Sequence, residues 1–206
     1  NGVLLRPLPF HEPARLVFLD ENLLQQGIAR IGVSYPDYLD WRQQNQVFED
    51  LGLFNDRKFT VTGADEPERV EGAEITANLF SLLGLQPVLG RGFAVDEDQP
   101  AAAAVALLSH GLWQRRFGAA PDIVGQTISI NGRSHTIVGV MPPGVSFPKA
   151  SQVWTPLVVN ELVRQRGARW FTGVARLKSG VTITEARAEM NTIAKCIAQE
   201  NPAHAN

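Results

Sequence analysis

Hydrophobic and polar residues at both ends of the chain follow patterns typical of a strand and then a helix. A first strand is predicted at Leu16 to Leu19, and Ser34 stands at the N-cap of the next helix, ahead of Pro36 and Asp37. Near the other end, Phe171 to Leu177 alternates as a strand. Each end is therefore predicted to form a βα unit.

The last helix has the clearest helical pattern in the chain. Thr182 and Glu185 have the spacing of a capping box, which predicts that the helix begins there. Its apolar residues recur at spacings of three and four, which places them on one face: Ala186, Met190, Ile193 and Ile197.

The middle of the chain is richer in strand-forming residues. Short strands are predicted at Leu51 to Phe54, Lys58 to Thr62 and Arg69 to Ile75, with the turn-forming residues Gly63 to Pro67 between the last two. A short or edge strand, ended by proline, is predicted at Val153 to Pro156. These stretches indicate a meander or hairpins.

A strand, a hydroxyl residue, a short helix and a glycine follow one another twice in this middle part. Thr76 and Gly84 flank the first predicted helix, and Ser109 and Gly118 flank the second. The hydroxyl satisfies N–H groups at the start of a helix, and glycine accepts the left-handed conformation at its end.

A tight hairpin is predicted within Thr127 to Val138. Asn131 and Gly132 are able to take the positive φ angles of a two-residue turn. Four residues of this hairpin are expected to share one face: Ile128, Ile130, His135 and Ile137.

Together these patterns predict an α+β fold of two lobes. One lobe is built from both ends of the chain, residues 1–50 and 160–206, and residues 51–159 form an inserted, β-rich lobe with short helices. Hinges are expected near Phe48 to Phe54 and Pro156 to Gly167.

Composition argues against two classes of protein, nucleic-acid-binding proteins and chains that contain a membrane helix. The chain has 206 residues, 44% of them hydrophobic, and its formal net charge of -2 lacks the basic excess of a nucleic-acid-binding protein. The longest apolar run, Ala101 to Leu108, is far shorter than the roughly 20 residues of a membrane helix. Because Asn1 is not Met and no signal peptide follows, the chain is interpreted as a fragment of a longer one.

Candidate catalytic and metal-binding groups are sparse. Ser109 and His110 are adjacent, but neighbours on a helix do not face each other, so Ser109 is interpreted as an N-cap. The four histidines, His11, His110, His135 and His204, lack the spacing of a zinc site, and His135 is interpreted as a packed hairpin residue.

Other polar clusters also have structural interpretations. Asp96 to Asp98 is interpreted as a solvated turn and Gly90 to Gly92 as a bend. Cys196, the single cysteine, excludes an internal disulfide and is expected to be a half-buried, inert thiol. The tryptophans are expected in the core: Trp41, Trp113, Trp154 and Trp170. No catalytic, cofactor-binding or metal-ligating residue is therefore assigned, and neither hydrolase activity nor a bound metal is expected.

Four longer motifs, in the right order along nearly the whole chain, carry a family resemblance. They are SYPDYLDWR from Ser34, ANLFSLLGLQPVLGRGF from Ala77, LSHGLW from Leu108 with Phe117 and Gly118, and VGQTISING from Val124 with VGVMP from Val138. The chain resembles the MacB-type periplasmic core domain of bacterial ABC transporter permeases, in particular the duplicated orphan permeases of Acidobacteria.

This resemblance implies a non-enzymatic domain on the periplasmic face of the cytoplasmic membrane, without cofactors. It implies a porter-like lobe made of βαβ units from both termini and an inserted β-rich lobe. The implied partners are a second permease protomer, a cytoplasmic ATPase subunit reached through membrane helices outside this chain, and a periplasmic adaptor protein. Such a domain couples ATP hydrolysis to export or to mechanical work, and a further strand is expected after the last helix.

Two alternatives stay open at this point. One is a secreted small hydrolase that uses Ser109, and a pocket with convergent polar groups would favour it. The other is an extracytoplasmic adaptor without transport, which the sequence does not separate from a transport module.

Overall fold

The structure is a computed structural model that describes residues 10–23, 28–62 and 66–201. Helices α1 to α4 are Tyr35–Gln44, Leu79–Leu83, His110–Phe117 and Ile183–Glu200. Strands β1 to β11 are Leu16–Leu19, Glu21–Leu23, Ile28–Ile31, Phe48–Thr62, Glu68–Ile75, Leu89–Gly90, Val105–Leu108, Thr127–Ile130, Arg133–Val140, Val153–Pro156 and Thr172–Leu177. The predicted α+β class is confirmed in these terms: helices and a large mixed sheet.

The chain divides into two compact units. The barrel unit contains Phe54–Val158 and the described residues before Ala14, and the terminal unit contains Ala14–Leu53 and the residues from Val159 onward. The division falls inside β4 and again after Val158, so two separated stretches of chain build the terminal unit.

Six strands of the barrel unit close into a barrel. Around the ring, β4 pairs with β5, β5 with β10, β10 with β7, β7 with β9, β9 with β8, and β8 returns to β4. The closing pair joins Ile130 to Val61 and Ser129 to Thr62. The two-residue strand β6 pairs with the end of β9, beyond the residues that β8 occupies.

Every strand of the ring contributes to one buried apolar cluster, which is therefore the barrel core. On β4, β7 and β8 its residues recur with a period of two, as one face of a strand requires. The cluster comprises Phe59, Val61, Val70, Ala106, Leu108, Leu112, Ile123, Ile128, Ile130, Ile137, Val140 and Val153.

The terminal unit combines strands with two helices. β1 pairs antiparallel with β11, β11 also lies beside β4, and α1 contacts α4. β2 and β3 form a separate two-stranded sheet, and Val33 and Phe171 form an isolated antiparallel bridge.

Several local predictions are confirmed. Ser34 caps α1 and Ser109 caps α3, while Gly84 and Gly118 take positive φ angles at helix ends. Thr182 and Glu185 form the predicted capping box. The hairpin turn has φ angles of 50° at Asn131 and 79° at Gly132, and its four predicted inward residues are buried.

The middle strands differ from the prediction. Leu51 to Phe54 and Lys58 to Thr62 are parts of one strand, β4, because Asn55 to Arg57 pair with β5 instead of breaking it. Arg57 pairs with Glu74 at 2.9 Å, and such cross-strand ion pairs stabilise a polar stretch of sheet.

Three further expectations are corrected or lie outside the described residues. Thr76 is not the N-cap of α2; that helix begins at Leu79 after Asn78, and the Thr76 carbonyl accepts the Leu79 N–H at 3.0 Å. The β10 strand is short, as predicted, but lies between β5 and β7 and is not an edge. The predicted turn at residues 63–67 falls mostly on residues 63–65, which lie outside the described residues.

Candidate functional site

Ser109 and His110 do not form a nucleophile and base pair in this structure. The Ser109 hydroxyl is buried and accepts the Leu112 N–H at 3.1 Å, so it serves the start of α3. The His110 ring packs edge-on against Trp113, with 5.2 Å between ring centroids. Both side chains therefore have structural contacts that explain them.

The other two described histidines, His11 and His135, have different partners. His135 is buried in the hairpin, where its Nδ1 lies 2.9 Å from the Arg133 carbonyl oxygen and burial lowers its pKa. His11 is exposed beside Glu12, and His204 lies outside the described residues. Within residues 10–23, 28–62 and 66–201, no three His, Cys, Asp or Glu side chains are arranged to hold a metal ion.

The acidic turn and the glycine bend are joined by an ion pair. Arg91 donates to the Glu97 carboxylate at 2.6 and 3.0 Å, and the Ala94 N–H donates to the same group at 2.7 Å. The central acid of the Asp96 to Asp98 turn therefore binds the arginine of the Gly90 to Gly92 bend.

Two expectations about core residues are wrong. Trp170 is 50% exposed, whereas Trp41 and Trp154 are buried and Trp113 is partly buried. Cys196 is exposed, because it lies outside the buried stripe of α4 that Ala186, Ile193 and Ile197 form.

A cluster of charged side chains in the terminal unit was missed by the sequence analysis. It comprises three acids and two arginines on β2, on α1 and on the segment between Val159 and Phe171: Glu21, Asp37, Asp40, Arg166 and Arg169. Their side chains expose only 8–28% of their surface. Of these five residues, only Asp37 is singled out by the sequence pattern, as a residue that follows the N-cap Ser34.

Arg166 joins two of these acids. Its two terminal nitrogens donate to Asp37 and to Asp40, the latter at 2.7 Å. Asp37 is also tied to the helix start, because its N–H donates to the Ser34 hydroxyl at 3.2 Å and its carboxylate accepts from that hydroxyl. The arrangement holds the chain near Arg166 against the N-terminal turn of α1.

Apolar side chains also reach the surface of the barrel unit. Val88 and Val124, 51% and 41% exposed, lie beside β6, and we call them the β6 patch. The Val88 N–H donates to Val140 on β9 at 2.8 Å, and a Cβ placed on Gly90 would lie 3.0 Å from a methyl of Val124. No described helix is both long enough and apolar enough to cross a membrane.

Comparison with known proteins identifies the family. The model of the MacB-like periplasmic core domain family matches residues 10–193. A comparison with curated protein sequences found no match.

Solved structures share the fold at low sequence identity. The periplasmic region of MacB from Actinobacillus actinomycetemcomitans is 14% identical, with a TM-score of 0.67 over 91% of this chain and 84% of that one. The extracellular domain of the noncanonic ABC-type transporter YknZ from Gram-positive bacteria is 13% identical, with a TM-score of 0.61 over 91% and 93%. A domain of a putative permease from Porphyromonas gingivalis is 14% identical, with a TM-score of 0.65 over 95% and 86%.

The fold and the family match define an extracytoplasmic, non-catalytic domain of an ABC transporter permease. The chain belongs to the MacB-like periplasmic core domain family, as its sequence motifs indicate.

Proposed function

We propose that this domain couples ATP hydrolysis in the cytoplasm to export, or to mechanical work on periplasmic partners, through protein contacts alone. The observation that carries the proposal is the family match over residues 10–193. Its partners are a second permease protomer, a cytoplasmic ATPase subunit reached through membrane helices, and a periplasmic adaptor protein. The domain acts on the periplasmic face of the cytoplasmic membrane.

The two units take different parts in this proposal. The terminal unit acts as the porter-like lobe, predicted at residues 1–50 and 160–206, and the barrel unit as the inserted lobe, predicted at residues 51–159. Chain connectivity supports this assignment, because two separated stretches of chain build the terminal unit. Force that enters through α4, which belongs to the terminal unit, reaches that unit first.

The barrel unit provides the contact surface for the second protomer. Its closed ring buries the apolar cluster inside, so the exposed valines of the β6 patch are not needed for that core. Apolar side chains at the surface are the groups that gain most from burial in a protein interface.

Cross-linking in the full-length permease tests this contact. Cys196 is first replaced by serine, and a single cysteine is then introduced at Val88 or at Val124. We expect either cysteine to cross-link two protomers to an extent that depends on the bound nucleotide. Gln114→Cys, at an exposed polar position on α3 of the same unit, is the matched control and should not cross-link.

The same experiment separates the proposal from its alternative. Locking the cross-link should lower the ATPase activity of the reconstituted transporter, because the lobes no longer move. Absence of a cross-link in every nucleotide state would refute the contact. A cross-link that leaves ATPase activity unchanged would refute the coupling and favour an adaptor without transport.

A further inference from the structure

Glu21 holds together two pieces of chain in the terminal unit. One carboxylate oxygen accepts the Ser34 N–H at 3.2 Å, and the other accepts the Arg169 Nε–H at 2.7 Å. The same two pieces pair at the Val33–Phe171 bridge, next to Ser34 and two residues after Arg169, with N–H to oxygen distances of 2.7 and 3.2 Å. Glu21 thus spans the place where these two pieces pair.

Arg166 adds a second attachment to the same segment. It joins Asp37 and Asp40 of α1, whereas Arg169 joins Glu21 of β2. The segment from Val159 to Phe171 is therefore fixed to its own unit by two arginines, on two different elements.

The charges of the cluster do not balance when every acid is ionised. Three carboxylates, at Glu21, Asp37 and Asp40, face two guanidinium groups, at Arg166 and Arg169, so one negative charge has no matching cation within the cluster. The neighbouring residue in the chain, Asp20, is also an acid and so does not supply the missing cation. A proton on one carboxyl group would restore the balance.

Glu21 is the group that takes this proton. Its side chain is 14% exposed. Burial raises the pKa of Glu21 to about 7, and the charge of Asp37 adds to the rise, although the hydrogen bond from Arg169 opposes it. A protonated carboxyl still has lone pairs to accept the Ser34 and Arg169 hydrogen bonds.

We propose that the segment from Val159 to Phe171 is a pH-sensitive latch, held on α1 and β2 by Arg166 and Arg169 and tightened when Glu21 is protonated. Ionisation of Glu21 loosens the latch, because the extra negative charge is better solvated when the segment lifts and water reaches the carboxylate. The device is distinct from the proposed contact at the β6 patch and does not depend on it.

Linkage sets the size of the effect. If opening returns the pKa of Glu21 from about 7 to its ordinary 4.5, the opening equilibrium increases about tenfold between pH 6 and pH 8. The latch is therefore strengthened by acidification, whereas an ordinary ion pair between exposed groups is weakened by it.

Amide hydrogen exchange of the chain measures the opening directly. At pH 6, 7 and 8, with rates corrected for intrinsic chemistry, the Val33 and Phe171 amides should lose about tenfold in protection across the range. Amides of β11 that pair with β1 should be better protected than the Val33 and Phe171 amides at every pH, since opening of the latch leaves that ladder intact. Equal protection of the two sets at every pH would mean that Val33 and Phe171 exchange only when the whole unit opens, and the latch would be refuted.

Two variants complete the test. Glu21→Gln, which does not titrate, should make the protection of Phe171 independent of pH and, by the same linkage, about 300-fold higher than wild type at pH 8. Glu49→Gln is the matched control, because it replaces an exposed glutamate of the same unit that pairs with Arg15. This variant should keep the wild-type pH dependence of Phe171 protection. A pH-independent wild type, or a pH dependence that survives Glu21→Gln, overturns the proposal; if Glu21→Gln does not fold, the wild-type series alone decides.

Discussion

Replacing Gly32 with alanine should destabilise the terminal unit, because backbone from another part of the chain lies where the new methyl group would go. A Cβ on Gly32 would overlap the Arg169 carbonyl oxygen and would lie 2.9 Å from the carbonyl carbon and 3.0 Å from the Phe171 oxygen. None of these atoms is at the end of a flexible side chain. The two pieces of backbone would have to separate by about 1 Å to restore normal contact.

That separation breaks a specific pair of hydrogen bonds. Val33 and Phe171 exchange both of their backbone bonds, at 2.7 and 3.2 Å, one residue away from Gly32. At about 0.5–1.5 kcal/mol for each bond, the loss is roughly 1–3 kcal/mol. Val33 and Phe171 are both buried, so exposure of their side chains adds to this cost.

Gly167→Ala is the matched control. Gly167 lies in the segment that approaches Gly32, yet a Cβ there meets nothing within 4 Å. We expect Gly167→Ala to leave stability unchanged or to raise it by up to about 1 kcal/mol, because alanine restricts the unfolded chain. Urea unfolding followed by circular dichroism compares the two variants, and equal stabilities would refute the close approach at Gly32.

Three further substitutions or conditions test other parts of the structure. Gly132→Val should lower stability by roughly 1–3 kcal/mol in urea unfolding, because φ at Gly132 is 79°, and an unchanged midpoint would contradict the turn. Ser109→Ala should cost about 1 kcal/mol through loss of the cap on α3; an ester hydrolase activity that disappeared in this variant would contradict the cap-only role. The free energy of unfolding should fall by roughly 3 kcal/mol as pH rises from 4.5 to above 7, because folded Glu21 keeps its proton up to pH about 7 while the unfolded chain releases it near 4.5. Glu21→Gln should remove this pH dependence, and a wild-type protein without the pH dependence would contradict the raised pKa of Glu21.

Features set by neighbouring residues were predictable from the sequence. Ser109 and Gly118 mark the two ends of α3, and Asn131 with Gly132 marks the hairpin turn. In each case the stabilising contact lies within a few residues along the chain, such as the Ser109 hydroxyl with the Leu112 N–H. The physical cause is therefore present in the local sequence.

Features set by distant strands were not predictable in the same way. The polar residues Asn55 to Arg57 look like a break, but pairing with β5 keeps them in strand β4. Barrel closure depends on Ile130 meeting Val61, which belongs to a strand far away in the sequence. The alternation of apolar residues in β4 and β8 predicts that each has an inward face, but it does not say which strand lies beside which.

The charged cluster shows the same limit for polar residues. The arginine to acid contacts span 129 residues for Arg166 with Asp37 and 148 for Arg169 with Glu21, and the segment that carries the arginines has no helical or strand periodicity. One signal was nevertheless present, because Asp37 and Asp40 are three residues apart on a helix, and so lie on the same side of it. A cation stabilises two acids on one side of a partly buried helix, and an arginine that reaches both with separate nitrogens does so better than a lysine. Glu21 carries no such signal, because its burial arises only when Arg169 and Ser34 are brought together by the fold.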